Sequence, residues 1–168
     1  VRNHFVDLCD RNGVERVFAI EGRVAGVIHF AAYKSVPESV ADPGKYYHNN
    51  IASLLNVLEA CTAHSVPNFI FSSSCSVYGN IASLPVSEDT PLGNAESPYA
   101  YTKQIGERIV ADHVRFDPLL KAISLRYFNP AGAHATGLNG EDPKNAPSSL
   151  VPVITRTASG RIPKMHVH

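Results

Sequence analysis

Tyr99 and Lys103 stand four residues apart in Ser97-Pro98-Tyr99-Ala100-Tyr101-Thr102-Lys103. On a helix that spacing places phenol and ammonium on one face. A free phenol titrates near pH 10 and is a poor base at neutral pH. A neighbouring cation favours the phenolate and draws that pKa down. Reaching about 7 requires roughly 4 kcal/mol, which one lysine and a cationic cofactor ring can supply together. Such a pair is suited to take a proton from an alcohol. By itself it equally fits an exposed aromatic–lysine contact, so the surrounding elements have to decide.

Three short apolar runs read as buried strands: Val24 to Phe30, Asn68 to Ser72 and Ala122 to Tyr127. Between the first two, Ile51, Leu54, Leu55 and Leu58 recur at helical spacing, and Ile105, Ile109 and Val110 do so between the last two. A weaker helix, Arg11 to Phe18, precedes them with Asp10 as its expected N-cap. Alternating strands and helices predict the α/β class with a doubly wound parallel sheet, in which ligands sit at the carboxyl ends of the strands. Phe30-Ala31-Ala32, Ser72-Ser73-Ser74 and Tyr127-Phe128-Asn129 all fall just past their strands. Two long loops, 78–98 and 130–147, carry most of the glycines and prolines between elements, and loops of that length are commonly functional.

No Gly-x-Gly-x-x-Gly occurs, although a dinucleotide fold normally opens on such a loop. His4-Phe5-Val6-Asp7 reads as the end of the third strand of that fold and not of its first. With no initiator Met, this predicts a fragment or a processed chain. The expectation is a partial Rossmann-like domain over 1–168, lacking the glycine-loop unit and any C-terminal substrate domain.

Composition narrows the function classes. Fifteen basic residues balance fifteen acidic ones, so no net field draws the chain to nucleic acid or an anionic membrane. No apolar stretch is long enough to span a bilayer and the first residues do not form a signal peptide. Cys9, Cys61 and Cys75 are odd in number and far apart, which favours reduced thiols and a cytoplasmic setting. The eight histidines include no His-x-x-x-His pair, and no metal site is expected; His166 and His168 are a lone terminal pair.

Taken together, several strings resemble the extended short-chain dehydrogenase/reductase superfamily and, within it, the NAD-dependent epimerases of sugar nucleotides. They are Val27 to Lys34, Tyr46-Tyr47-His48-Asn49-Asn50, Phe71 to Gly79, Ser97 to Lys103 and Leu125 to His134, extended by Gly140-Glu141-Asp142-Pro143. The related 4,6-dehydratases carry Thr-Asp-Glu where this chain has Ser74-Cys75-Ser76, so the resemblance favours epimerisation over dehydration or decarboxylation. It implies NAD as cofactor, a UDP-hexose as substrate and reversible oxidation at C4 through a 4-keto sugar. Tyr99 would be the base, Lys103 would depress its pKa and bond the nicotinamide ribose, and Ser74 would bond the 4-hydroxyl. Phe30, Ala31, Ala32, Tyr33, Lys34, Asn49 and Phe128 would line the cofactor site, with Asp7 and Leu8 beside the adenine. Asn129, Ser149 and Leu150, in the substrate-facing loop 129–150, would touch the substrate, although Ser148-Ser149-Leu150 replaces the usual Asn-Asn-Leu. Asn49 also suits a helix cap before Ile51, Lys34 an ordinary solvated lysine, and Ser72 and Ser73 plain strand-end hydrogen bonds. The resemblance further implies a homodimer built through the helices near 51–64 and 99–113. A non-catalytic remnant acting as a binding or dimerisation module is the alternative from another class.

Overall fold

The computed structural model describes residues 2–141, 147 and 149–165. Asp142, Pro143 and Ser148, and the terminal His166 and His168, lie outside the described residues. Two compact units divide the chain, Val1–Tyr127 and Phe128–His168, and each is described by itself.

The first unit runs α1 (Arg11–Glu21), β1 (Val27–His29), α2 (Val36–Ala41), α3 (Pro43–Ala63), β2 (Asn68–Ser74), a 3-10 turn (Cys75–Tyr78), α4 (Pro98–Phe116) and β3 (Lys121–Tyr127). The strands form one parallel sheet in the order β1-β2-β3. With right-handed crossovers, an unreversed strand order sends every connecting helix to the same face. The burial pattern agrees. Phe69, Phe71 and Ser73 of β2 are buried with His29 of β1, whereas Ile28, Ile123 and Leu125 on the opposite face are exposed. The described helices of this unit therefore supply one of the two layers of a doubly wound fold. The core under them joins Val14 and Phe18 of α1, Leu54, Val57, Leu58 and Cys61 of α3, Phe69 and Phe71 of β2, and Val110 of α4. Leu54 and Leu58 thus fill the core.

Several expectations need correction. His4 to Asp7 forms no strand: no described strand is bonded to it in a sheet, His4 instead meets Glu21 at 2.6 Å, and Phe5 is fully exposed. Instead, Asp7 accepts the Cys9 N–H at 2.9 Å and the Asp10 N–H at 2.9 Å, a turn that leads into α1. Asp10 is the N-cap of α1, but its side chain makes no capping bond; it pairs with Arg16 at 3.5 Å. β1 is shorter than Val24 to Phe30, as befits a strand paired on one side only. β2 is longer than expected, because β3 pairs with it as far as Ser74 and Tyr127.

The helix expected near Ile51 begins at Pro43. Asp42 caps it by accepting the Lys45 N–H at 3.1 Å, and Pro43 sits where its missing N–H costs nothing. Asn49 is consequently a mid-helix residue and not a cap. The unforeseen α2 is stopped and started by the same logic, with the Ser35 hydroxyl accepting from Glu38. In the second unit, Ser149 precedes α5 (Leu150–Ala158) as its N-cap without a side-chain bond, and Leu150 is exposed. Asn129 is exposed too.

Candidate active site

Strand pleating decides what each serine of the triplet can do. Ser73 points to the helical face and is buried, its hydroxyl donating to Glu107 Oε1 at 2.6 Å. Ser74 points the other way and caps the 3-10 turn, accepting from the Ser76 N–H at 3.2 Å and the Ser76 hydroxyl at 3.0 Å. Ser72 contributes its carbonyl, which accepts the Lys103 ammonium at 2.7 Å. The expected hydrogen-bonding roles of Ser72 and Ser73 are what the structure displays.

α4 presents the pair. Ser97 accepts the Ala100 N–H at 3.1 Å, and Pro98 opens the helix, so Tyr99 stands in the first turn and Lys103 one turn below it. The two are not a surface contact. Lys103 is 5% exposed and Tyr99 half-buried. Lys103 Nζ lies over the rings of Phe71 at 5.1 Å and Tyr99 at 5.8 Å from their centroids. Burial lowers the Lys103 pKa to about 8. Burial likewise raises the Tyr99 phenol above its ordinary value, the Ser74 hydroxyl hydrogen-bonding it and drawing it partly back while Cys75 adds to the rise. Within the chain itself burial is the largest influence on the Tyr99 phenol; the expected depression calls for Lys103 and a cationic cofactor ring together. One N–H of the Lys103 ammonium donates to the Ser72 carbonyl, and desolvation governs the phenol.

The loop after β1 is held from beneath. Asn50, a residue the sequence reading passed over in favour of its neighbour, accepts the Tyr33 N–H at 2.8 Å and donates to the Tyr33 carbonyl at 3.1 Å and Thr102 Oγ1 at 3.2 Å. Asn49 donates to Asn50 Oδ1 at 3.0 Å, and its own Oδ1 accepts from the Cys9 thiol at 3.9 Å. Phe30, Ala31 and Lys34 are exposed, and Lys34 makes no hydrogen bond or ion pair among the described residues. Phe30 stacks on Tyr127 with centroids 6.5 Å apart. His29 stacks on Phe69 and Phe71 at 6.1 and 6.3 Å, and burial, with a smaller contribution from Lys103, lowers its pKa to about 4.

A second group missed from sequence joins α4 to β3. Arg126 makes a two-point pair with Glu107, Nε to Oε1 and Nη2 to Oε2 at 2.9 Å each, and Nη1 donates to the Tyr78 hydroxyl at 3.0 Å. Glu107 also holds Ser73, so one carboxylate fixes β2, α4 and β3 together. Gly79 and Gly93 let the chain cross closely, each leaving space that a Cβ would need from the other strand of the loop. The site therefore brings Ser74, Tyr99, Lys103 and the 30–34 loop to the carboxyl end of the sheet. Asp7 and Leu8 lie in the turn before α1, while Phe128, Asn129, Ser149 and Leu150 belong to the second unit. No cluster of metal-ligating side chains occurs among the described residues, and no helix there is long and apolar enough to cross a membrane.

Comparison with known proteins accords with this arrangement. The profile of the NAD dependent epimerase/dehydratase family matches residues 1–167. The chain is 43% identical to UDP-glucose 4-epimerase of Caenorhabditis elegans over 97% of its own length and 47% of that protein. It is 47% identical to the Neisseria meningitidis UDP-glucose 4-epimerase over 96% of itself and 47% of the relative. The crystal structure of UDP-glucose 4-epimerase from Bifidobacterium longum in complex with NAD+ and UDP superposes with a TM-score of 0.89 at 45% identity, covering 96% of this chain and 48% of that one. A Stenotrophomonas maltophila epimerase with bound NAD and formylated UDP-arabinopyranose gives 0.87 at 39% identity, over 95% and 47%. The chain thus spans about half the length of the curated relatives it matches. From fold, site and similarity together, it belongs to the NAD dependent epimerase/dehydratase family.

Proposed function

We propose that the chain carries the catalytic centre of a UDP-hexose 4-epimerase that uses NAD. The observation supporting this most directly is the convergence of Ser74, Tyr99 and Lys103 at the carboxyl end of β2. The relatives' complexes with NAD and uridine nucleotides support the ligand assignment.

The residues present suit the nicotinamide end of such a cofactor. Lys103 uses one N–H on Ser72 and has two more to offer ribose hydroxyls. The Phe30–Lys34 backbone, Asn49 and Phe128 would line the pocket, and Asp7 and Leu8 would meet the adenine. When bound, the cofactor supplies a reversible hydride acceptor. Tyr99 takes the proton of the sugar 4-hydroxyl, and Ser74 orients that hydroxyl from its hydrogen-bonded place beside the phenol. Asn129, Ser149 and Leu150 would hold the substrate. Because burial raises the Tyr99 pKa, added positive charge is required before the phenol acts as a base at neutral pH, and turnover should rise with pH.

The same reading includes a homodimer through residues 51–64 and 99–113, using faces other than the core-filling Leu54 and Leu58; sedimentation velocity tests it. A site lacking a carboxylate at Ser74-Cys75-Ser76 favours epimerisation over elimination. The protein expressed from its complete reading frame should interconvert UDP-glucose and UDP-galactose without added NAD. Tyr99→Phe should lower that rate by about 100-fold or more. An unchanged rate would sink the assignment.

A further inference from the structure

We infer that Asn50 and Thr102 are positioning residues that tie the loop after β1 to the backbone of Tyr99. This rests on the function proposed above for Tyr99. The Asn50 side chain uses its full hydrogen-bonding capacity. Oδ1 accepts from the Tyr33 N–H at 2.8 Å and from Asn49 Nδ2 at 3.0 Å, and Nδ2 donates to the Tyr33 carbonyl at 3.1 Å and to Thr102 Oγ1 at 3.2 Å. The two bonds to Tyr33 fix which end of the amide is oxygen. A reversed amide would set donor against N–H and acceptor against carbonyl. Thr102 in turn donates its single hydroxyl proton to the Tyr99 carbonyl at 2.7 Å, so it can meet Asn50 only as an acceptor.

Every bond in the chain Tyr33–Asn50–Thr102–Tyr99 therefore has one allowed direction. Asn50 is 7% and Thr102 2% exposed, so water is a poor substitute for either partner. The link joins residues 33, 50 and 102, which are remote in sequence, and its last member is the carbonyl of the base itself. A shift of the loop that would carry the cofactor is thereby transmitted to the first turn of α4. The expected role is to keep hydride acceptor and proton acceptor in register, where a displacement of about 1 Å costs on the order of 100-fold in rate.

Hydrogen exchange on the full-length protein tests the link without requiring turnover. Thr102→Val, which keeps the branched shape and removes the hydroxyl, should speed exchange of the Tyr33 amide about tenfold, a loss of about 1.4 kcal/mol of local protection. Thr102→Ser should restore protection, and the Phe69 and Phe71 amides should stay unchanged in both variants. In the other direction, Asn50→Asp retains an acceptor for the Tyr33 N–H but loses the donor to the Tyr33 carbonyl and to Thr102, and should loosen the Ala100 and Tyr101 amides. In the same preparations Thr102→Val should lower kcat with little change in KM, and Thr102→Ser should recover it. Wild-type protection at Tyr33 in Thr102→Val, equal loss in Thr102→Ser, or loss shared with Phe69 and Phe71 would overturn the inference. Should one variant unfold, the other direction decides. Absence of wild-type turnover would count against the proposed function while leaving the exchange result to stand.

Discussion

Replacing Gly106 with alanine sets helix propensity directly against packing. Gly106 lies in α4, three residues past Lys103, and faces β2. Alanine is favoured over glycine inside a helix by about 1 kcal/mol, so local propensity alone predicts stabilisation. The structure predicts the opposite. A Cβ at this position would lie 2.5 Å from Phe71 Cζ, 3.0 Å from Phe71 Cε1 and 3.3 Å from Leu54 Cδ2. Phe71 is 3% exposed, carries the Lys103 ammonium over its face and stacks with His29, so the ring has little room to tip away. Overpacking of this kind costs about 1–3 kcal/mol, and contact with two ring carbons at once places it near the upper end. The net expectation is a loss of about 2 kcal/mol, read as a lowered urea midpoint at constant slope. In a Phe71→Leu background the same substitution should be neutral or stabilising by up to about 1 kcal/mol. Stabilisation by Gly106→Ala in the wild-type background would refute this account of the α4–β2 contact.

Two further measurements address charge. His29 has a pKa of about 4 in the fold against an ordinary 6.5, so between those values the unfolded chain binds more protons and stability falls as pH drops. At about 1.36 kcal/mol per pH unit the full effect is about 3 kcal/mol. It should appear as a wild-type acid sensitivity between pH 6.5 and 4 that His29→Phe lacks, and parallel pH profiles would exclude it. Arg126→Met should cost about 2–3 kcal/mol in urea unfolding, because Glu107 loses a two-point partner at a site where it also holds Ser73. Arg108→Ala, which breaks only the exposed pair with Asp112, should have a far smaller effect; equal losses would contradict the ranking.

What was legible in the sequence was what one element carries by itself. Tyr99 and Lys103 share a helix face by arithmetic, and the parallel sheet follows from strands alternating with helices. The start of α3 was signalled by Asp42-Pro43 but hidden from an apolar pattern, since the first two turns bury Tyr46 and Asn50 for their hydrogen bonds. Asn49 and Asn50 are indistinguishable by type, and only the helix rotation decides which amide faces Tyr33. The partners of Lys103, Glu107 and Thr102 lie 31, 19 and 52 residues away, so no local pattern could announce them. The face of β2 that is covered was equally hidden, because Phe69, Ile70 and Phe71 are apolar without alternation.

The resting electrostatics of the site follow from one cause. Burial disfavours charge on both members of the pair, raising Tyr99 and lowering Lys103 to about 8. At neutral pH the lysine is still charged and the phenol is not. That state gives the site a cation in a poorly solvated position, held to the Ser72 carbonyl on the rigid end of β2. A phenolate formed beside it would gain more from the attraction than it would in water, since the same low polarity that penalises a lone charge strengthens a pair. In its proposed role the Tyr99 phenol is thus switched by whatever brings further positive charge to the carboxyl end of the sheet, and it stays protonated otherwise. The chain Tyr33–Asn50–Thr102–Tyr99 fits that requirement, because the charge has to arrive at a fixed distance from the phenol to have its effect.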